Sequence, residues 1–149
     1  MEYSKDRQLN KIGSLQIRRF ERVTTKNLRD RAQRFFNTFI RYRDKELPCI
    51  NCLKFPTKRN PMQAGHLYPV STHPHLRFHP INVNGECLRC NYFDSQSHQA
   101  GYLPNLIQRV GKEAVEQLQL LANSRVTIKN DRLSFIEIIL KYESYAKKK

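Results

Sequence analysis

Apolar residues recur at three- and four-residue steps in the first third of the chain, the spacing that places them along one face of an α-helix. This pattern predicts a helix over residues 27–47, with Asn27 or Thr25 as its N-terminal cap and Pro48 just beyond its end. The preceding residues, 1–26, are polar and basic and carry only a weak apolar pattern. They are predicted to form an N-terminal arm.

The chain becomes helical again after Gly101. Apolar periodicity predicts helices over residues 103–110 and 114–121, and a final helix over 131–145 with Asn130 as its cap. We expect all three to pack against the apolar face of the first helix.

The segment between these helical regions is of a different kind. It holds all four cysteines, all five histidines and six of the seven prolines, with no sustained helical period before Cys87. Short strands are predicted near 62–68 and 81–86, followed by a helix from about Leu88. A segment this irregular buries too little apolar surface to order itself, and a structural metal contributes on the order of 10 kcal/mol to such folds.

These patterns predict an α+β protein with one domain over residues 27–149. Its irregular core, residues 48–101, is flanked by the helix over 27–47 and by C-terminal helices over 102–149. A chain of 149 residues is long enough for one compact domain of this kind.

The net charge of the chain indicates the class of molecule that it binds. Lys and Arg number 27 against 13 Asp and Glu, which leaves a net charge of +14 and predicts binding to nucleic acid. No stretch approaches the ~20 apolar residues of a membrane span, and the N-terminus lacks the apolar core of a signal peptide. We therefore expect no membrane association and a reducing, cytoplasmic location, where paired cysteines favour a metal over disulfides.

The cysteines form two Cys-x-x-Cys pairs, one at Cys49 and Cys52 and the other at Cys87 and Cys90. Each pair supplies two thiolates from one tight turn, and four thiolates fill the tetrahedral shell that zinc prefers. Such a site has no open position, so it is predicted to be structural. The competing interpretation is four unrelated buried cysteines.

The order of His66, Asn82, Cys87-x-x-Cys90 and Asn91 resembles the HNH nucleases, also called His-Me finger or ββα-metal nucleases. The resemblance implies a zinc-stabilised ββα-metal core in which His66 ends the first strand as general base and Asn82 braces the loop behind it. It further implies that Asn91 reaches a catalytic Mg²⁺ or Mn²⁺. Imidazole suits proton transfer near neutral pH, and a hard cation suits phosphodiester hydrolysis.

One position departs from that pattern. Many family members carry an acidic metal ligand just before the histidine, where this chain has Gly65. Gln63, Asp94 or His98 is expected to replace it, with His98 preferred.

The loop before the second strand carries three further histidines and an arginine. His73, His75 and His79 are interpreted as exposed loop residues, whereas a bidentate guanidinium makes Arg77 a candidate phosphate contact. Arg41 and Arg43, on the polar face of the first helix, are further candidate DNA contacts; a solvated helix surface is the alternative.

A closer resemblance, to the lambda NinG (Rap) recombination protein family, covers about residues 28–145. The motifs that carry it are Arg-Asp-Lys-Glu-Leu-Pro-Cys-Ile-Asn-Cys (43–52), Ala-Gly-His (64–66), Leu-Arg-Phe (76–78), Cys-Leu-Arg-Cys-Asn (87–91) and Leu-Ile-Gln-Arg-Val-Gly-Lys-Glu-Ala-Val (106–115). The resemblance implies a phage- or prophage-encoded endonuclease, active in the bacterial host cell on Holliday junctions, D-loops and similar branched DNA. The chain departs from lambda NinG at Asn84, where that protein has a second histidine, and in lacking a long N-terminal extension.

Two alternatives stay open at this point. The chain is read as a structure-selective endonuclease, with a homodimer suited to opposed cuts on a two-fold symmetric junction. The alternatives are a non-catalytic, zinc-stabilised DNA-binding module of a recombination complex and a sequence-specific HNH nuclease of the homing or restriction type.

Overall fold

The computed structural model describes residues 13–93, 98–124 and 131–148. Within them, helices surround one two-stranded antiparallel hairpin, so the protein is α+β as expected. The elements in chain order are α1 (Ser14–Arg18), α2 (Thr25–Arg43), β1 (Met62–His66), a 3-10 turn (Pro74–Leu76), β2 (Val83–Cys87), α3 (Leu88–Phe93), α4 (His98–Val110), α5 (Lys112–Asn123), α6 (Arg132–Tyr142) and a second 3-10 turn (Glu143–Lys147).

Helix α2 confirms the longest helical pattern, although its cap was assigned to the wrong residue. Thr24 is the cap, and its hydroxyl accepts a hydrogen bond from the backbone N–H of Asn27 at 3.2 Å. The helix begins at Thr25 and ends at Arg43, before the predicted end. The residues of its buried stripe are Leu28, Ala32, Phe36 and Ile40.

Helix α6 packs along α2, as predicted for the C-terminal helices. Phe20, buried completely, joins their shared apolar cluster from the segment that precedes α2. Asp131 caps α6 through its carboxylate, which accepts from the backbone N–H of Ser134 at 2.9 Å. The predicted cap, Asn130, lies outside the described residues, as do residues 1–12 of the predicted arm.

The prediction was wrong for α4 and α5, whose main packing is elsewhere. Their apolar residues form a second cluster with Ile50, Leu67 and Leu76 of the central segment. Helix α4 also begins earlier than expected, at His98, and Gly101 lies inside it. A Cβ at Gly101 would lie 2.5 Å from the carbonyl oxygen of Asn51, so the glycine lets the helix approach the first Cys-x-x-Cys turn.

The two faces of the hairpin contact different helices, α2 on one side and α4 on the other. Its register pairs Gly65 with Asn84 and His66 with Val83. Val83 joins an apolar cluster with Phe36 and Ile40 of α2, and alternation along a strand turns Asn84 to the opposite face. The hairpin is therefore covered on the α2 side, while the other face carries polar residues.

A buried carboxylate connects α2, the hairpin and α4. Asp44 is 1% exposed and accepts from the backbone N–H of Gly85 at 2.6 Å. It forms ion pairs with Arg43 at 2.6 Å and with Arg109 of α4 at 3.6 Å. Arg43 also donates to the carbonyl oxygens of Pro80 and Val83. This junction fixes the end of α2 against β2.

We predict that Asp44→Ala lowers the free energy of unfolding by about 3 kcal/mol, because it leaves two partly buried arginines and a backbone N–H without their acceptor. Urea denaturation measures this change. Asp30→Ala is the matched control on α2, since the Asp30 carboxylate is exposed and its loss should cost at most about 0.5 kcal/mol. A loss for Asp44→Ala no larger than that of the control would contradict the assigned role.

Candidate functional site

The four cysteines converge as their spacing predicted. Their Sγ atoms all lie within 4.8 Å of one another, and those of Cys52 and Cys87 are 3.9 Å apart. Tetrahedral zinc with Zn–S bonds of about 2.3 Å separates its sulfurs by roughly 3.8 Å. The donor set and its spacing therefore fit a structural zinc ion.

Each pair is held by the local backbone. In the first, Leu53 follows with a left-handed backbone (φ 58°), and its N–H bonds the carbonyl oxygen of Cys49 at 3.0 Å. In the second, Cys87 ends β2 and Cys90 lies in the first turn of α3. The backbone N–H of Cys87 donates to the Sγ of Cys49 at 3.3 Å, which links the two pairs directly.

Hydrogen bonding also favours the thiolate at Cys87. Burial raises its pKa, but bonds from the Cys90 backbone and the Asn60 side chain oppose burial and bring the pKa down to about 7. Thiolate is the form that binds a metal. Asn60 also accepts from the backbone N–H of Arg89 at 2.9 Å, so one side chain supports both the sulfur and the start of α3.

His66 is the last residue of β1. Its Nε2 lies 3.1 Å from the carbonyl oxygen of Arg77, which can only accept, so Nε2 donates and the lone pair of a neutral imidazole is on Nδ1. Burial lowers the pKa of His66, the hydrogen bond to Arg77 opposes this, and the Arg77 charge lowers the pKa further. The imidazole is thus oriented and held in the form that accepts a proton.

Asn82 holds both ends of the loop over residues 67–81. Its Oδ1 accepts from the backbone N–H of Tyr68 at 2.9 Å, and its Nδ2 donates to the carbonyl oxygens of Tyr68 and Leu76, each at 3.1 Å. The side chain is completely buried. Asn82 therefore braces the loop whose Arg77 carbonyl orients His66; a part in catalysis stays a prediction.

Tyr102 was missed by the sequence analysis. From α4, its hydroxyl donates to the carbonyl oxygens of Gly65 at 2.9 Å and Asn82 at 3.3 Å, and accepts from the Asn84 amide at 3.1 Å. Burial raises the pKa of Tyr102, which keeps the hydroxyl protonated. One feature of the sequence could have indicated its role. Tyr102 lies four residues before Leu106 on the apolar stripe of a helix, and a buried phenol needs a polar partner.

The structure describes only some of the side chains that were expected to bind a second metal. Asn91 lies in α3, directly after Cys90, and is half-buried. Asp94 and the side chain of His98 lie outside what the structure describes. Within the described residues, the cysteine cluster is the one group of three or more His, Cys, Asp or Glu side chains close enough to share an ion.

The predicted DNA-contacting arginines occupy different places. Arg77 donates to the Gln33 side chain at 3.2 Å, and Arg41 donates to the hydroxyl of Thr38 at 3.2 Å. Arg43 bonds the Asn84 side chain as well as Asp44, so its contacts are within the fold. Each of the three stays a prediction as a DNA contact.

The loop histidines are less exposed than expected. His73, His75 and His79 are all partly buried. His75 reaches the carbonyl oxygen of Leu121 at 2.9 Å, and burial lowers the pKa of His79. The cause is that the loop packs between the hairpin and the C-terminal helices rather than extending into solvent.

Fold and site together define a small α+β protein with a four-cysteine cluster suited to zinc and a histidine-bearing hairpin beside it. The family model described as "Bacteriophage Lambda NinG protein" matches residues 2–149. The chain belongs to the NinG family.

Curated relatives agree over a shorter span. The chain is 38% identical over 88 residues to Protein ninG of Escherichia phage lambda and of Escherichia phage 933W, and 36% identical to that of Salmonella phage P22. In each case the match covers 59% of this chain and 42% of the relative, so the chain spans less than half the length of these proteins. No solved structure matches the chain. In the described part of the chain, every helix is too short or too polar to cross a bilayer.

We predict about one zinc ion per chain by elemental analysis of purified protein. Cys49→Ser should reduce the zinc content and the unfolding temperature together, because zinc binding provides much of the folding free energy of the central segment. Lys54→Ala, on the exposed side of the same turn, is the control and should retain zinc. Stoichiometric zinc in Cys49→Ser with an unchanged unfolding temperature would contradict the four-thiolate site.

We predict that the imidazole of His66 titrates below its ordinary pKa of 6.5, because burial disfavours the imidazolium. The unfolded chain then binds the proton more readily, so this group's contribution to stability falls as pH drops from 6.5 through the lowered pKa. NMR titration of the ring C–H signal, assigned by its loss in His66→Ala, measures the midpoint. A midpoint above 6.5 would contradict the predicted shift.

Proposed function

We propose that the protein is a metal-dependent, structure-selective DNA endonuclease of the HNH type, which cleaves branched recombination intermediates such as Holliday junctions and D-loops. The observation that carries this proposal is the setting of His66. It ends β1 with a depressed pKa, its Nε2 is engaged by the Arg77 carbonyl, and Asn82 holds the loop that supplies this carbonyl. That is the arrangement a general base requires.

The proposed reaction is phosphodiester hydrolysis. Nδ1 of His66 accepts a proton from water as the water oxygen attacks the scissile phosphorus. The bond from phosphorus to the 3′ oxygen breaks, and the departing oxygen takes a proton from solvent. A bound Mg²⁺ or Mn²⁺ would stabilise the charge that develops on the phosphate and leaving oxygen.

Residues of this chain fit such an ion by their chemistry. Asn91 offers a neutral amide oxygen in α3, directly after Cys90, and waters and phosphate oxygens would complete the ligand set. Hard divalent cations prefer oxygen ligands of these kinds. The cysteine cluster, with its soft sulfur donors, would retain zinc instead.

Positive charge supports binding to a DNA backbone. The net charge is +14, and Arg77 lies in the loop whose backbone carbonyl contacts His66. Burial is the main cause that lowers the pKa of Arg77. Repulsion from the like charge of Arg29 lowers this pKa further, and the charge of Asp30 raises it. A phosphate would relieve the repulsion, so we assign a phosphate contact to Arg77.

The proposal also names the substrate, the oligomeric state and the location. The protein acts on branched DNA as a homodimer, in the cytoplasm of a phage-infected or lysogenic bacterium. The phage origin of the relatives supports the phage-related setting. Two opposed cuts on a two-fold symmetric junction would need two copies of the site, which a symmetric dimer provides.

We predict that the wild-type protein with Mg²⁺ or Mn²⁺ cleaves a four-way junction or D-loop, and that His66→Ala lowers the rate by roughly 100-fold or more, because the attacking water loses its base. The assay compares synthetic junctions, D-loops and linear duplex. His73→Ala is the matched control, because it removes an imidazole from the loop that follows β1, where His73 bonds the Thr72 hydroxyl and not His66.

Folding and DNA binding of His66→Ala should match the wild type, as measured by thermal unfolding and gel shift. Failure of the wild type to cut any branched substrate, with DNA binding retained, would favour the non-catalytic binding module. Cutting of linear duplex at one sequence, without preference for branches, would favour the sequence-specific nuclease.

A further inference from the structure

A surface cavity with cationic side chains in its lining lies beside the cysteine cluster. Its volume is about 460 Å³, within the range of sites that hold small molecules, and its lining residues are Arg59, Asn60, Leu88 and Arg89. We call it the arginine cavity. A second cavity, of about 230 Å³, is lined by Cys52, Lys54, Asn60, Cys87, Arg89 and Cys90. The two cavities share two lining residues, so the arginine cavity borders the cysteine cluster.

A tight turn over residues 57–60 brings Arg59 to this cavity. The backbone N–H groups of Thr57 and Asn60 each donate to the carbonyl oxygen of the other residue at 3.1 Å. The side-chain oxygen of Asn60 accepts from the backbone N–H of Arg89 at 2.9 Å, which attaches the turn to α3. The backbones that carry the two arginines are therefore held in a fixed relation to each other.

The charge of the arginine cavity is not balanced by carboxylates. Neither cavity has Asp or Glu in its lining, and within the described part of the chain Arg59 and Arg89 form no ion pair. Residues 48–93 include five basic residues and one acidic residue, Glu86, which is completely buried. Both arginines are exposed. Two cations that line one cavity without a carboxylate favour an anionic ligand.

The cysteine cluster offers a structural explanation for one of these cations. A zinc ion with four thiolates would carry a net charge of about −2. Arg89 lines the cavity that reaches the cysteines, so it is placed to offset that charge. Arg59 lines the arginine cavity only, and the thiolates therefore do not account for its position.

We propose that the arginine cavity binds a backbone phosphate of DNA through Arg59 and Arg89. A guanidinium group can bind two phosphate oxygens at once. The proposal rests on DNA as the substrate of the proposed function and adds a position for the strand. Because Asn60 precedes β1 and Leu88 follows β2, the cavity lies at the opposite end of the hairpin from His66. The four residue steps of β1 span roughly 13 Å, so one DNA strand could contact both ends.

The test measures the affinity of the zinc-loaded full chain for a fluorescent four-way DNA junction by anisotropy, without Mg²⁺ or Mn²⁺. Arg59→Gln should weaken binding by roughly tenfold, because a hydrogen-bonded charge pair is lost. Lys58→Gln is the matched control, since Lys58 is exposed in the same turn and lines neither cavity. It removes the same charge and should weaken binding by less than about threefold.

A double variant tests whether the two arginines hold the same phosphate. The loss of affinity in Arg59→Gln/Arg89→Gln should fall short of the product of the two single losses, because the residues share a ligand. The slope of log affinity against log salt should fall by about 0.9, the value for one phosphate contact. Multiplicative losses with a slope change of about 1.8 would overturn the shared phosphate.

Zinc content and the urea midpoint separate DNA binding from a structural role. Both should match the wild type in Arg59→Gln. Loss of zinc from this variant, with unchanged DNA affinity, would assign Arg59 to the thiolates and overturn the inference. Calorimetry with inorganic phosphate tests a site for a free anion, because Arg59→Gln would then lose phosphate binding and keep its affinity for the junction, which also overturns the inference.

The outcomes distinguish this inference from the proposed function. Equal losses of DNA affinity in Arg59→Gln and Lys58→Gln overturn the inference, and cleavage of the junction by the wild type would leave the function standing. DNA binding that depends on Arg59, without cleavage of any branched substrate, overturns the function and leaves the phosphate site.

Discussion

The junction between β2 and α3 is the constraint on which the rest of the structure depends. Cys87 ends the strand, Cys90 lies in the first helical turn, and both face the Cys-x-x-Cys turn before β1. The central segment, which has few buried apolar residues, is thereby held together at the point where β2 is followed by α3. A zinc ion bound there would convert this convergence of four thiols into a fixed geometry, since its ligands must occupy a tetrahedron.

Buried polar contacts extend this geometry to the hairpin. Asp44 fixes β2 to the end of α2, Tyr102 fixes the carbonyl oxygen before His66 to α4, and Asn82 fixes the loop. Each of these three buried side chains has defined hydrogen-bond partners, and leaving one of them unsatisfied would cost about 1–3 kcal/mol. Alternative placements of the hairpin would break these bonds, so the position of His66 follows from contacts made well outside the proposed reaction centre.

Much of this arrangement is predictable from sequence because it arises from local patterns. The helical period over α2, the two Cys-x-x-Cys pairs and the short strands around His66 each follow from residue types at fixed spacing. The packing of α4 against the first Cys-x-x-Cys turn was missed, since it depends on the close approach that Gly101 permits. Tyr102 was missed for the same reason, because its partners are brought near only by tertiary structure.

In the proposed function, a hairpin stabilised by zinc would present a histidine base and a cation to the same phosphate. Anomalous diffraction from crystals of the protein bound to a four-way junction and Mn²⁺ tests this claim most directly. The expected result is a Mn²⁺ peak beside Asn91, in contact with a DNA phosphate oxygen, with His66 facing the same phosphate. DNA bound away from His66, or no Mn²⁺ at the hairpin, would contradict it.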